Sequence, residues 1–272
     1  MMNRKIPHST RHATMALPII FSLLCAGCVT APDAPGNSAT SAVPTNHASQ
    51  APVSQGTHLL ALLPMREGYG PGDHDAYEAR IARFSGEHGM VRDSAYTVSQ
   101  FLGGNAGPRN ASTVGVWSLK SAESVQAVMS DPRYQAQVEY RNKIHAMTDA
   151  QMYMVKQEFS GRPPSSGHVL LVGALVMNQG FDFEAHDAYE KTIAPIGARY
   201  GMHMYRSYRV LQQMGAPGPS KVVAVNIWEL PNPEALGKVM SDPDYMAQIP
   251  VRNRIHDMRA TTMYFVAPRT AS

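Results

Sequence analysis

The chain has 272 residues, with 24 basic and 21 acidic side chains, 44% hydrophobic residues and two cysteines. Its formal charge of +3 belongs to the N-terminus: taking Arg4, Lys5 and Arg11 from the 24 basic residues leaves 21, against 21 acidic ones. A neutral remainder argues against a nucleic-acid partner, and Cys25 and Cys28 leave no later cysteine for a disulfide, a thiolate metal site or a nucleophile.

Residues 1–27 carry those three basic residues, no acidic one, and the apolar run MALPIIFSLLCAG, too short to span a bilayer comfortably. They read as a signal peptide. The run ends in LLCAGC, where Ala26 and Gly27 precede Cys28, and this resembles the lipobox of bacterial lipoproteins, with Cys25 in place of the usual leucine. The resemblance implies cleavage before Cys28 and acylation of that residue, which would hold the protein on a membrane by its lipid. The alternatives are an ordinary secretory signal cut nearby and an uncleaved anchor. In a Gram-negative host, the family's sorting rules read Val29 as favouring the outer membrane and a periplasm-facing anchor, with a secreted or periplasmic protein as the alternative. Residues 28–56 have no aromatic side chain and almost no charge, so they cannot bury a core and read as a disordered tether.

The rest is internally repeated. MSDPRYQAQVEYRNKIHAM, Met129 to Met147, returns as MSDPDYMAQIPVRNRIHDM, Met240 to Met258, with 12 of 19 positions identical at an offset of 111. Before it, HDAYE at His74 recurs at His186 with an offset of 112, so one residue was gained or lost in the glycine and proline-rich loop between Tyr96 and Pro108. The expected units are residues 57–157 and 167–268, joined by the linker 158–166 and followed by a short tail, 269–272.

Each unit opens with an aliphatic run, at His58–Leu63 and His168–Met177, suited to a strand covered on both faces. A helix follows, with Tyr77, Ile81 and Phe84, or Tyr189, Ile193 and Ile196, forming one apolar stripe that stops at Gly89 or Gly201. MVRDSAYTV and STVGVWSL, or MHMYRSYRVL and VVAVNIWEL, then read as a hairpin. A second helical region begins at Ser121 or Asn232. Ser-Asp-Pro breaks it and caps another helix, and QMYMV or TMYFV is the last strand. The order βαββαβ is the ferredoxin-like arrangement, which leaves one sheet face bare. The expected fold class is α+β, two tandem units pairing sheet to sheet as an intramolecular pseudo-dimeric barrel.

Trp117, Ser130 to Tyr134 and Arg141, repeated as Trp228, Ser241 to Tyr245 and Arg252, carry a resemblance to the dimeric α+β-barrel superfamily. That superfamily includes antibiotic-biosynthesis monooxygenases and NIPSNAP-like proteins, and the likeness is to its small domains of unknown function. It covers both units and implies active sites inside the barrel.

Three constellations offer chemistry. Helical spacing sets Arg141 and His145 on one side with Tyr134 near, and Arg252, His256 and Tyr245 likewise. They either line a ligand-binding site or fix the helix on its sheet. His74 with Glu78, and His186 with Glu190, share i, i+4 spacing, but without a third ligand they read as solvated helix N-termini, and no metal is expected. In VVAVNIWEL, Val223, Val225 and Ile227 suit packing under helices, while Asn226 and Trp228 suit a polar lumen. With His203 they are the catalytic candidates, weighed against simple packing of a methionine-rich interior. The first copy has Gly115 and Val91 where the second has Asn226 and His203, which places any such site in the second copy. The expected function is binding of a small apolar or aromatic ligand in the barrel of an envelope lipoprotein, without a cofactor. Cofactor-independent monooxygenase or isomerase chemistry and a non-catalytic envelope scaffold are the alternatives. The expected assembly is a monomer or a further homodimer.

Overall fold

A computed structural model describes residues 56–215 and 221–269, so the leader, Cys28 and nearly all of the tether fall outside the described residues. Eight strands carry the fold: β1 (Thr57–Pro64), β2 (Met90–Gly103), β3 (Ala111–Leu119), β4 (Gln151–Ser160), β5 (Val169–Val176), β6 (His203–Gly215), β7 (Val222–Leu230) and β8 (Thr262–Pro268). They close into one antiparallel barrel in the order β1-β3-β2-β8-β5-β7-β6-β4. The two seams join the halves of the chain. Tyr96 to Gly103 of β2 pair with Pro268 to Met263 of β8, and Gln151 to Ser160 of β4 pair with Gly215 to Arg206 of β6. The long second strand of each half makes this possible, because β2 and β6 run past their hairpin partners into the seams.

Helices cover the outside: α1 (Pro71–Ser85), α2 (Glu123–Ser130), α3 (Pro132–Gln135) and α4 (Val138–Ile144), then α5 (Phe183–Ala198), α6 (Glu234–Met240) and α7 (Pro243–Ile255). The expected stripes are buried, with Tyr77, Ile81 and Phe84 on α1 and Tyr189, Ile193 and Ile196 on α5. Gly89 and Gly201 follow these helices in the left-handed region, at φ of 73° and 75°. In the Ser-Asp-Pro turns it is the aspartate that caps. Asp131 accepts from the Arg133 N–H at 2.7 Å, and Asp242 accepts from the Asp244 N–H at 2.8 Å.

Alternation along each strand sorts side chains between two environments. Leu60, Leu62, Val114, Val116, Tyr153, Val155, Leu170, Val172, Tyr208, Ile227, Tyr264 and Val266 fill the lumen as one buried cluster. Leu59, Trp117 and Leu119 pack outward with Tyr77, Ile81 and Phe84, and Leu171, Trp228 and Leu230 pack outward with Tyr189 and Ile193. The VVAVNIWEL strand is therefore turned over relative to the sequence expectation. Val225 and Ile227 point into the lumen, and Trp228 lies under the helices. The physical reason is size: eight strands leave an interior that side chains alone fill, and aliphatic residues with tyrosines fill it here.

The β2–β3 loop bridges to the other half. Asn105 and Ala106 donate to the Ala260 carbonyl, Gly107 donates to Thr262 Oγ1 at 2.9 Å, and the Tyr264 hydroxyl donates to the Pro108 carbonyl at 2.9 Å. Gly104 sits in this contact at φ 97°, where an added Cβ would lie 2.0 Å from the Thr261 carbonyl oxygen. Gly68, at φ 84°, has nothing within 4 Å of the same virtual atom. Gly104→Ala should therefore cost about 3 kcal/mol or more in denaturant unfolding, since strain and a backbone clash combine, against about 1 kcal/mol for Gly68→Ala. Equal losses in the two variants would contradict this account of the loop.

Candidate functional site

Between each sheet and its helices lies a buried polar network built on a histidine pair. His145 ends α4 with extended backbone and bridges to Met65, and His256 ends α7 and bridges to Met177. Their Nε2 atoms lie 2.9 Å from Nδ1 of His74 on α1 and of His186 on α5, respectively. These bonds tie the first helix of each half to the end of its last. Of the residues read as solvated helix N-termini, His74 and Glu78 are 1% and 3% exposed and His186 is fully buried, while Glu190 is 13% exposed. The apolar stripe rolls the histidine and glutamate faces inward together, so the i, i+4 pairs face the sheet.

Around this shared frame the halves differ. In the first, Glu78 Oε1 is 3.2 Å from His74 Nε2 and Glu78 Oε2 accepts from Arg92 at 2.6 Å. Burial pushes the Glu78 carboxyl up, but its bonds to His74 and Arg92 outweigh that and hold it below the ordinary value. In the second half, Met204 occupies the position of Arg92. Arg92 pairs with Trp117 across β2–β3, and Met204 pairs with Trp228 across β6–β7. Asn226 takes the position of Gly115, where a Cβ would stand 3.6 Å from Glu78 Oε1. The Asn226 amide reaches His186 Nε2 at 3.0 Å and thereby fills the place Glu78 holds in the first half.

The second network then runs in one direction. Ser207 Oγ donates to Asn226 Oδ1 at 3.0 Å and Asn226 Nδ2 donates to His186 Nε2. His186 Nδ1 donates to His256 Nε2, and His256 Nδ1 donates to the Arg252 carbonyl at 3.2 Å. Each ring carries one proton in this pattern. Burial holds both imidazoles neutral, with His186 lowered to about 3. Glu190 is left outside the chain. Its Oε1 is 3.7 Å from His186 Nδ1, beyond hydrogen-bond reach, and its Oε2 is buried with no partner. Burial raises this carboxyl to about 8, against a smaller lowering by the neighbouring Asn226 amide.

Beside Glu190 is a cavity of about 120 Å³ between β5, β7, β8 and the helices α5, α6 and α7. Leu171, Ile193, Met202, Trp228, Val239 and Met263 form its apolar wall, and Glu190, Asn226, His256, Tyr245 and Arg252 its polar side. Three of the proposed ligand-binding residues, Tyr245, Arg252 and His256, thus share one wall, with Arg252 donating to the Tyr245 hydroxyl at 3.1 Å. Their counterparts Tyr134, Arg141 and His145 are also assembled, with Arg141 donating to the Tyr134 hydroxyl at 2.6 Å. Asn226 and Trp228 border the cavity, but on the outer face of the barrel and not in its lumen. His203 is exposed at the start of β6 and takes no part in the cavity lining, and Val91, its counterpart, is 57% exposed.

No family model and no curated protein matches the chain. Among solved structures it is similar to an anthrone oxidase-like protein, with a TM-score of 0.50 and 11% identity over 81% of this chain and 95% of that one. It is also similar to a candidate monooxygenase from Fusobacterium nucleatum, with a TM-score of 0.50 and 7% identity over 80% of this chain and 94% of that one. These likenesses show the fold, a dimeric α+β barrel.

Because the Glu190 carboxyl titrates near 8 when folded and near the ordinary 4.5 when unfolded, its stabilising contribution is complete below about pH 4.5 and is lost as pH rises through 8. Glu190→Gln should remove that alkaline loss and exceed the wild type by on the order of 2–4 kcal/mol at pH 8, with little difference at pH 4.5. Denaturant titrations across this range measure the gap, and a gap independent of pH would refute the assignment.

Proposed function

We propose that the protein binds a small apolar or aromatic molecule in the cavity under α5 and α7, and that this cavity belongs to the second of two tandem ferredoxin-like units, residues 57–157 and 167–268, paired within one chain as a pseudo-dimer. The observation that carries the reading is an apolar cavity with convergent polar groups, one of them a carboxyl whose Oε2 is buried without a partner. A volume of about 120 Å³ suits a single ring. The site lies outside the barrel because the lumen is occupied by Tyr153, Tyr208, Tyr264 and aliphatic side chains. The intended test is calorimetric titration with phenol and benzene. Binding that weakens at least tenfold in Val239→Trp, which fills the cavity from α6, is the expected result. Unchanged affinity would move the site elsewhere.

A second reading, cofactor-independent oxygenase or isomerase chemistry, is favoured by Asn226 and Trp228 bordering the same cavity. It requires turnover of an aromatic substrate that is lost in Asn226→Ala.

The cellular setting completes the proposal. Acylated at Cys28, the chain would be held on the outer membrane, periplasm-facing, with residues 28–56 as the tether; two or more acyl chains make such anchoring stable. Cys28→Ala should release the protein to the soluble fraction on cell fractionation, whereas continued sedimentation with membranes would rule the lipid anchor out.

A further inference from the structure

We propose that the Glu190 carboxyl is the recognition group of the cavity, donating a hydrogen bond as a neutral acid to a carbonyl or ether oxygen on a single-ring apolar ligand, and that Met204 and Asn226 are the residues that make it available. The proposal rests on the ligand-binding reading above and names the class of ligand.

The chain supplies its own comparison. Glu78 and Glu190 sit at matching places on α1 and α5, beside histidine pairs of the same 2.9 Å geometry. Glu78 is closed off, since Arg92 takes one oxygen at 2.6 Å and His74 faces the other at 3.2 Å. Glu190 has neither an arginine nor a histidine nitrogen; the Asn226 amide is its polar neighbour, and its Oε2 is buried with no partner. Met204 offers no charge at the arginine's register position, and Asn226 has taken the histidine nitrogen. A buried carboxyl without a cation is most stable as the neutral acid, and a neutral acid is a hydrogen-bond donor.

The groups around Glu190 agree with that state. On its own helix are His186, whose Nδ1–H is committed to His256, Tyr189, and Asp187, whose charge opposes ionisation. From α7, His256 and Tyr245 border the cavity, and Arg252 is engaged with Tyr245 and Asn253. From the sheet, β7 offers Asn226 and β8 offers Met263, neither charged. The group at ion-pair distance from Glu190 is His186, at 3.7 Å, and burial holds that ring neutral. Oxygenated ligands therefore meet, beside the Tyr245–Arg252 pair and Asn226, a carboxyl oxygen that has no partner of its own. A hydrogen bond of this kind discriminates by about tenfold against a hydrocarbon of the same size.

The test uses the full chain and three probes of one ring size, cyclohexanone, tetrahydropyran and cyclohexane, titrated at pH 6 and pH 9.5. The wild type is expected to prefer the two oxygenated probes by about tenfold at pH 6 and to lose that preference at pH 9.5. Met204→Arg should abolish the preference at both pH values while leaving cyclohexane affinity within about threefold. Should that variant fold poorly, Glu190→Gln keeps an N–H donor and should retain the preference at both pH values, whereas Glu190→Leu should lose it. A preference that persists at pH 9.5 in the wild type or survives Glu190→Leu overturns the proposal with the cavity reading intact. Failure of all three probes, cyclohexane included, to bind the wild type overturns the cavity reading itself.

Discussion

Closure of the barrel through the β2–β8 and β4–β6 ladders is the constraint on which the rest of the molecule depends. Each half has one sheet face covered by helices, and the opposite face is rich in Leu60, Val116, Leu170 and Ile227. Left bare, these side chains would expose a continuous apolar surface with two unpaired strand edges. Joining the halves edge to edge solves both problems at once, because an eight-stranded barrel has no edge and no empty lumen. Burying a single leucine or isoleucine stabilises by about 1.5–3 kcal/mol, and the shared interior buries many such side chains from both halves. Filling it also removes the lumen as a place for a ligand.

Space for chemistry is thereby displaced to the layer between sheet and helices, where packing is less uniform because polar groups must be paired as well as buried. The histidine pairs organise that layer. Each is held by a C-terminal helix carbonyl and a short bridge to the end of the first strand, so the ring positions are set by backbone. The frame is the same in both halves, and only the group next to it changes. With Arg92 present, the glutamate is an ion-paired structural element; with Met204 and Asn226 present, it becomes an unpaired acid beside a cavity. Two substitutions, neither on the helix that carries the glutamate, account for the difference.

Much of this architecture was legible in the sequence, and the parts that were not share a cause. The helix stripes, the glycine stops after α1 and α5, and the capping aspartates follow from local periodicity and turn chemistry, and the structure has them. Which face of β7 meets the lumen did not follow, because Val225 and Ile227 on one side and Asn226 and Trp228 on the other are each compatible with either environment. Period-two alternation separates the faces without saying which is inside. The burial of His74 and Glu78 was hidden for a related reason. Their partners lie on other elements, His145 71 residues from His74 and Arg92 14 residues from Glu78, and an i, i+4 pair reads the same in water as under a sheet. The retention of both histidines in both copies was the available signal. It marked a contact between distant segments, whereas helical spacing directed attention to neighbours such as Arg141.

The segment from Met129 to Met147 and its repeat are most alike because they do the same mechanical work twice: an aspartate cap, a tyrosine–arginine bond and a histidine that staples the helix end to the first strand. Change there would loosen a whole helical layer, so a new property has to arise at positions that touch the frame without holding it. Positions 115 and 92, and their counterparts 226 and 204, meet that description, since each lies on a strand beside the histidine pair and neither forms the pair. A glutamate freed in this way costs stability at alkaline pH, because an unpaired buried carboxyl must ionise against its surroundings. The frame that survives unchanged in both halves is what allows one of them to tolerate that cost, and the half that tolerates it is the one with the cavity.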